Sequence, residues 1–580
     1  MRFLGRSRSE TRREVEALRA RPHTSVLVIG GGINGISVFR DLALQGVDVT
    51  LVERGDLAAQ TSAASSRMIH GGLRYLEYGE FRLVRESVEE RNRLLAAAPH
   101  HVRPLATTVP IRSVFGGLVA APTRFLTGRK PRRHTERGAL LVKAGLSLYD
   151  TYSRIGRAPD GTAVPRHHFA GPRRSRRELP DLHPATRFTA TYFDAAVHAP
   201  ERLALEVARD GLEHGLSARL ATYVSAVGTD DGTVTLRDEV SGDTFAMRAD
   251  VVVNASGPFT DLTNAALGTP TDYMGGTKGS HLVLDHPVLL RACRGREIFF
   301  ENADGRIVLV YPMGGRVIVG TSDIPADARE VAVCTEDEVD YFIDLVARVF
   351  PHIPVTREHI VYRFAGIRPL PRQDDAEPGR ISRDYAVREG ALPDAEDVAV
   401  LSIVGGKWTT FRALGEQVAD LVLDVLGLNR AASTAGRVIG GGVGLPAADD
   451  RDEWIAHHLS RVTTQRGRVL LARYGTRAVE VADAEAGTPA LRTAPGYTRG
   501  EVEHLAREEH VVRLSDVALR RTSLAFEGAL SIAVLDELAD AVGAALGWSG
   551  GRRRREVKAV VEEMSTRHGV RLRSRAGVEA

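Results

Sequence analysis

The sequence predicts a composite of α/β and α+β architecture: a doubly wound parallel sheet, a separate antiparallel sheet and a helical C-terminal domain. Three observations point there. Near the N-terminus the apolar run SVLVI (25–29) meets a glycine turn, a helical stretch over about 33–46 and a second strand, VDVTLVE (47–53), which is the opening βαβ of a doubly wound sheet. Further on, SHLVLD, GRIVLVYP and GRVIVGTSD are short apolar segments bounded by turn residues, as strands of an antiparallel sheet are. Beyond about residue 430, apolar positions recur at helical spacing, as in VEHLAREEH and ALSIAVLDELADAVGAAL.

Length and composition fit several packed units. At 580 residues the chain exceeds one core, and about 150 residues per domain gives three or so. Its 43% hydrophobic and 26% charged residues are those of a soluble globular protein. No apolar run approaches the roughly 20 residues needed to cross a bilayer. The N-terminus is charged and lacks an apolar core or cleavage site, so the expected location is the cytoplasm or the cytoplasmic face of a membrane, held peripherally. The two cysteines, Cys293 and Cys334, have no zinc-like spacing, so neither a disulfide framework nor a metal is expected. Five of the 77 basic residues are lysines: Lys130, Lys143, Lys278, Lys407 and Lys558. Basic runs stand at 128–133, 173–177 and 552–555, yet the net charge is only +3. They are therefore local patches, suited to solvent or anionic headgroups, and no nucleic-acid motif accompanies them.

Each element of the first unit has a mechanical reason. The turn fits GxGxxG with Gly30, Gly32 and Gly35. The first glycine permits the tight turn, the second admits a pyrophosphate to the backbone, and the third lets helix and strand pack closely, while the helix N-terminus offers N–H groups to phosphate. Glu53 closes the second strand 18 positions after the last glycine, placed to accept hydrogen bonds from ribose hydroxyls, which argues against a 2′-phosphate. NAD and FAD both satisfy this Rossmann-like fingerprint. Next comes TSAASSRMIHGGLRYLEYGEFRLV (61–84), a small-residue loop with a further Gly-Gly pair that could lie along a long cofactor, and EFRLVRESVEERNRLLAAA (80–98) has the spacing of an amphipathic helix. From about 110 to 185 the chain is rich in Gly, Pro and Arg and reads as loops and insertions.

Seven segments, in order, resemble the FAD-dependent, aerobic glycerol-3-phosphate dehydrogenases of the D-amino-acid-oxidase-like flavoprotein superfamily: VIGGGINGISVFRDLALQG, TSAASSRMIHGGLRYLEYGEFRLVRES, VVVNASGPFTD, KGSHLVL, VGTSD, RFAGIRPL and SIVGGKWTTFR. The resemblance covers about 24–425, and the helical tail resembles the extra domain of these enzymes. Residues 1–23 read as a charged arm ahead of it, and the resemblance implies an FAD-binding domain from 24–110, 200–270 and 355–425, a substrate-binding cap from 111–199 and 271–354, and a helical domain over 430–580. It also implies oxidation of sn-glycerol 3-phosphate to dihydroxyacetone phosphate by hydride transfer to FAD. His281 is the implied base, because imidazole ordinarily titrates near working pH. Arg368 is the implied cation beside the reacting oxygen or phosphate. Arg74, Tyr75 and Lys407 complete the substrate contacts. Gly30, Gly32, Asn34, Gly35 and Glu53 hold the nucleotide, Thr61, Ser62, Ser65, Arg67, Ile69 and His70 run along ring and phosphates, and Gly405, Gly406 and Thr409 close over the flavin.

Two departures from the family pattern stand out. HAPERL (198–203) replaces an acidic pair before Ala-Arg-Leu, and Arg67 replaces a lysine. The first leaves a related polyol phosphate open as substrate. The implied acceptor is a quinone at the membrane surface, with an oxygen-using oxidase or a non-catalytic flavin- or lipid-binding regulator as alternatives. A tRNA-modifying flavoenzyme fits less well without its cysteine pair. A homodimer is a further expectation.

Overall fold

The computed structural model describes residues 12–72, 80–113, 139–153, 164–301, 307–372 and 384–573. Strands are numbered in chain order. β1 (His23–Ile29), β2 (Val49–Glu53), β7 (Arg219–Thr222), β8 (Val224–Asp230), β9 (Thr233–Asp238), β10 (Thr244–Asn254), β17 (Ala386–Leu392) and β18 (Ala395–Val404) form the first sheet. The second contains β3 (Met68–Ile69), β4 (Val102–Ile111), β5 (His168–Ala170), β6 (Phe188–Val197), β11 (Thr277–Leu284), β12 (Glu297–Glu301), β13 (Ile307–Met313), β14 (Arg316–Gly320), β15 (Ile324–Pro325) and β16 (Ile360–Arg368). The helices used below are α1 (Arg13–Ala20), α2 (Ile33–Leu44), α3 (Phe81–Ala97), α4 (Ala139–Ser153), α5 (Pro200–His214), α6 (Glu336–Val349) and α7 (Phe411–Val425).

The first sheet runs β17-β18-β10-β1-β2-β7, and β18, β10, β1, β2 and β7 are parallel to one another. Parallel strands covered on both faces read as continuous apolar runs, and VLVI does so for that reason. Val26 and Val28 join the core under α2, α5 and α7, whereas Leu27 and Ile29 join a second core. Each such side chain contributes about 1.5–3 kcal/mol when withdrawn from water. That second core includes Val15 and Leu18 of α1, so part of the charged N-terminal stretch packs on the sheet rather than standing away from it.

The second sheet is mostly antiparallel, with β12 and β4 paired in parallel. The segment expected to be irregular contributes β5, the helix Pro172–Glu178 with its arginine run, and α4, whose Leu146 and Tyr149 are buried against β6 and α3. Gly, Pro and Arg content masked these elements, because tertiary burial overrides a weak local pattern.

The tail is helical, from Arg451–His458 to Gly550–Thr566, and buried charge ties it to the first unit. Asp56, just after β2, receives Arg521 on both oxygens at 2.6 and 2.7 Å, and Arg202 of α5 does the same to Glu509 at 3.0 and 2.7 Å. Glu206 accepts from Gly441 N–H and shares hydrogen bonds with the adjacent His100 and His101 at 2.8 and 3.1 Å. Burial pushes its carboxyl up, and the two imidazoles outweigh that and hold it well below the usual range. Among the described residues, no helix is long and apolar enough to cross a membrane.

Candidate active site

The candidate nucleotide seat lies where β1 and β10 run parallel and the chain leaves β1 for α2. The glycines there do different work. Gly30 has φ +115°, and a Cβ would stand 2.6 Å from the Ala255 carbonyl oxygen. A Cβ on Gly35 would collide with the Gly30 carbonyl, which is the close packing of helix on strand. At Gly32 a Cβ would meet only Ser62 Oγ at 3.5 Å, so backbone faces open space at the N-terminus of α2. Gly31, absent from the predicted set, is equally constrained: a Cβ would lie 2.8 Å from Glu53 Cβ and 2.7 Å from a Leu57 methyl.

Glu53 accepts from Gly31 N–H at 2.6 Å and Gly55 N–H at 2.8 Å. Burial raises its carboxyl above the ordinary value, opposed by these two N–H groups. A carboxylate has lone pairs beyond the two used here, so a ribose hydroxyl can still be received. Ile33 N–H, at the helix start, donates to Ser62 Oγ at 3.0 Å. Asn34 Oδ1 is buried with no hydrogen-bond partner among the described residues.

Distant segments converge on this seat. Trp408 Nε1–H donates to the Ser62 carbonyl, Thr409 O–H to the His70 carbonyl, and Asn34 Nδ2–H to the Gly405 carbonyl at 3.4 Å. Gly405 and Gly406 adopt φ of +93° and +101°, and a Cβ on Gly406 would collide with the Asn34 amide. α7 follows immediately. Ile69 is buried on β3 opposite Ala195. Gly71 N–H donates to Asp194, which also receives Arg91 and Tyr149, so the start of HGGLRYL is anchored in a buried polar knot. Arg74 and Tyr75 lie outside the described residues. An open backbone at Gly32, an orphaned Asn34 oxygen and a cradle of glycines fit an extended dinucleotide.

His281 and Arg368 meet on one face of the second sheet. On β11, Thr277, Gly279 and His281 alternate onto that face, and β16 sets Arg368, Gly366 and Phe364 opposite them. A Cβ on Gly279 would sit 2.7 Å from Arg368 Cζ, on Gly320 2.8 Å from His281 Nε2, and on Gly366 2.7 Å from the Ala64 methyl. Bare backbone thus makes room for both side chains and for the 61–66 loop above them. That loop is pinned by Thr61 O–H, which donates to the Ile367 carbonyl at 2.6 Å.

The His281 ring stacks on Phe364, with centroids 4.7 Å apart at 12°, and shares a 2.8 Å hydrogen bond with Ser66 Oγ through Nε2. Burial, and then the charges of Arg368 and Arg67, lower its pKa to about 3. The imidazole is therefore neutral at working pH rather than poised near it. Arg368 donates to Asp323 at 2.8 Å, Thr277 at 3.3 Å, Thr321 at 2.9 Å and the Ser322 carbonyl at 2.8 Å. Lys407 donates to Ser87 Oγ of α3 at 2.8 Å.

Arg67 is held elsewhere. Its guanidinium donates to Glu201 at 3.1 Å and the His198 carbonyl at 2.8 Å, and stacks over Phe526 of the tail at 4.2 Å. Its own N–H donates to Ser65 Oγ, and its carbonyl accepts from Val197. The two departures from the family pattern are thus in contact: HAPERL supplies the acid that pairs with Arg67 at the joint to the helical tail.

Comparison with known proteins agrees with this architecture. The family model described as "FAD dependent oxidoreductase" matches residues 25–421, and "C-terminal domain of alpha-glycerophosphate oxidase" matches 401–553. The chain is 32% identical over 527 residues to a glycerol-3-phosphate dehydrogenase of Synechocystis sp., covering 86% of this chain and 88% of that one. It is also 32% identical over 528 residues to a D-erythritol 1-phosphate dehydrogenase of Brucella abortus, covering 87% and 95%. In fold it is similar to the glycerol-3-phosphate dehydrogenase from Bacillus halodurans complexed with FAD, with a TM-score of 0.71 and 22% identity over 94% of this chain and 95% of that one. The chain is an oxidoreductase with FAD as its cofactor, and it belongs to the FAD-dependent glycerol-3-phosphate dehydrogenase family.

Proposed function

We propose that this enzyme oxidises sn-glycerol 3-phosphate at C2 to dihydroxyacetone phosphate and passes the electrons to a quinone, working peripherally at the cytoplasmic face of a membrane. The observation that carries the reading is the shared sheet face of His281 and Arg368 beneath the 61–66 loop, with Ser62 of that loop bonded to the start of α2. Bound FAD supplies the two-electron acceptor for the C2 hydride. His281 takes the hydroxyl proton, its ring fixed by Phe364 and shielded from water by burial. Burial depresses the imidazole most and the charge of Arg368 next; a dianionic phosphate entering beside Arg368 offsets the second of these and moves the base part of the way back toward its ordinary pKa. Arg368, oriented by Asp323 and Thr321, faces the oxygen on which negative charge develops. Lys407, Arg74 and Tyr75 bind the phosphate.

Anaerobic addition of glycerol 3-phosphate to the purified flavoprotein is expected to bleach the visible flavin absorbance. A fully loaded, folded enzyme that is not bleached overturns the reading. The Brucella abortus relative favours a second substrate, and erythritol 1-phosphate belongs in the same assay: faster bleaching than with glycerol 3-phosphate assigns the longer polyol phosphate instead. The match to an oxidase C-terminal domain makes the acceptor a separate question. Peroxide formed stoichiometrically in air without added quinone would replace the quinone with oxygen.

A further inference from the structure

Ser66 belongs to none of the expected cofactor or substrate contacts, yet it is the hydrogen-bond partner of the proposed base. Its Oγ lies 2.8 Å from His281 Nε2. The ring has little freedom to choose another partner, because Phe364 stacks on it and Gly320 closes its edge. Nδ1 is buried with no hydrogen-bond partner among the described residues. Among the described residues, the charges that act on the ring are Arg368 from β16, Arg67 from the loop before β3 and Glu338 from α6. Burial and the two cations outweigh the carboxylate, so the ring is neutral and carries a single N–H.

That N–H has two possible sites, and they are chemically unequal. With the proton on Nδ1, a buried donor lacks an acceptor and the Nε2 lone pair is consumed by the Ser66 hydroxyl, leaving no base. With the proton on Nε2, Ser66 accepts it and Nδ1 keeps a lone pair in a dry site. We propose that Ser66 is a positioning residue whose hydroxyl oxygen accepts the Nε2–H of His281, leaving Nδ1 as the atom that takes the substrate's hydroxyl proton. This rests on the reading of His281 as the base. The proton moves from the C2 hydroxyl to Nδ1, the C2 hydrogen leaves with its electron pair to FAD, and the C2–O bond becomes a carbonyl. The imidazolium then carries both N–H groups, with Ser66 still accepting. Ser66 is itself held, since Tyr311 O–H donates to its carbonyl at 2.7 Å.

The test reads the tautomer and the rate separately. In histidine-15N-labelled holoenzyme, with the His281 signals assigned by their loss in His281→Gln, Nδ1 should be unprotonated and Nε2 protonated in the parent and in Ser66→Thr. In Ser66→Ala the two tautomers should mix, and anaerobic flavin reduction by glycerol 3-phosphate should slow about 10- to 100-fold at unchanged flavin content, with Ser66→Thr restoring the rate. Protonated Nδ1 in the parent overturns the proposal, as does a Ser66→Ala enzyme that reduces at the parental rate. If Ser66→Ala loses its flavin, Ser66→Cys, which keeps the size of the side chain but replaces the oxygen with a weak acceptor, is read by the same two measurements: a slowed rate with mixed tautomers supports the proposal, and parental values overturn it. The tautomer measurement needs no substrate. Failure of the parent to react with glycerol 3-phosphate therefore counts against the function, not against this hydrogen bond.

Discussion

The nucleotide seat and the reactive face are built by opposite strategies. At the seat, Gly30, Gly32, Gly35 and Glu53 lie within one βαβ unit, and the close approaches at its turn, with Ala255 after β10 packed against it, dictate the glycines. On the reactive face, Ser66, His281, Gly320, Phe364 and Arg368 come from distant segments, and strand register together with the pinned 61–66 loop brings them together. The seat uses backbone to approach a ligand, whereas the face uses missing side chains to lodge present ones. Substitutions should divide the same way. Changes at the seat alter how much flavin is held, and changes on the face alter the rate per flavin held.

The largest effect belongs to His281→Ala, expected to slow anaerobic flavin reduction by about 10²- to 10⁴-fold while flavin content per chain stays near one. Near-normal reduction would remove His281 from the chemistry. Gly279→Ala is the subtler version, because it touches no reacting atom. The new methyl group forces the Arg368 guanidinium off its backbone bed, and about 10- to 100-fold should be lost in rate with flavin retained. A harmless Gly279→Ala would mean that Arg368 has no fixed position to lose.

Gly32→Ala tests the other half of the contrast. A Cβ there meets only Ser62 Oγ in the protein, so the apoprotein should unfold at the same denaturant concentration as the parent. FAD affinity should nonetheless fall about tenfold or more, since the backbone approach to the pyrophosphate is blocked. Equal FAD affinity would show that the cofactor does not rest on this turn. Gly35→Ala, by contrast, should destabilise the apoprotein outright through the clash with the Gly30 carbonyl.

These differences explain what was legible in the sequence. The opening βαβ could be read because its signals are local: a strand, a turn of stated glycines, a helix and a terminal acid. Gly31 was missed because its constraint is the approach of Glu53, which no glycine pattern states. His281 and Arg368 were found through motif resemblance alone; nothing in KGSH or GIRPL says that β11 and β16 pair in register. Ser66 was passed over because a serine in a serine-rich loop has no signal of its own, and only the fold places it on His281. The departures at Arg67 and HAPERL looked independent in sequence, 131 residues apart, and are one ionic contact in space.

Burial acts on one titratable group in each region, and the smallest predicted effect follows from that. Burial pushes Glu53 and His281 alike toward the neutral form, upward for the acid and downward for the base. For His281 the ordinary value is 6.5 and the native value about 3. Between these, the unfolded chain binds a proton that the native ring refuses, so acidification disfavours the native state progressively below pH 6.5 until the native ring also titrates near 3. Above pH 6.5 the contribution vanishes. His281→Gln removes this single titration and leaves His198, whose pKa is lowered to about 4, in both proteins. Denaturation of the two apoproteins should therefore show the stability gap between parent and variant shift in the variant's favour by about 0.8 kcal/mol on going from pH 7.5 to pH 6. An unchanged gap would mean that the ring is as free to take a proton in the native state as in the unfolded one, and the dry, cation-faced pocket assigned to His281 would be wrong.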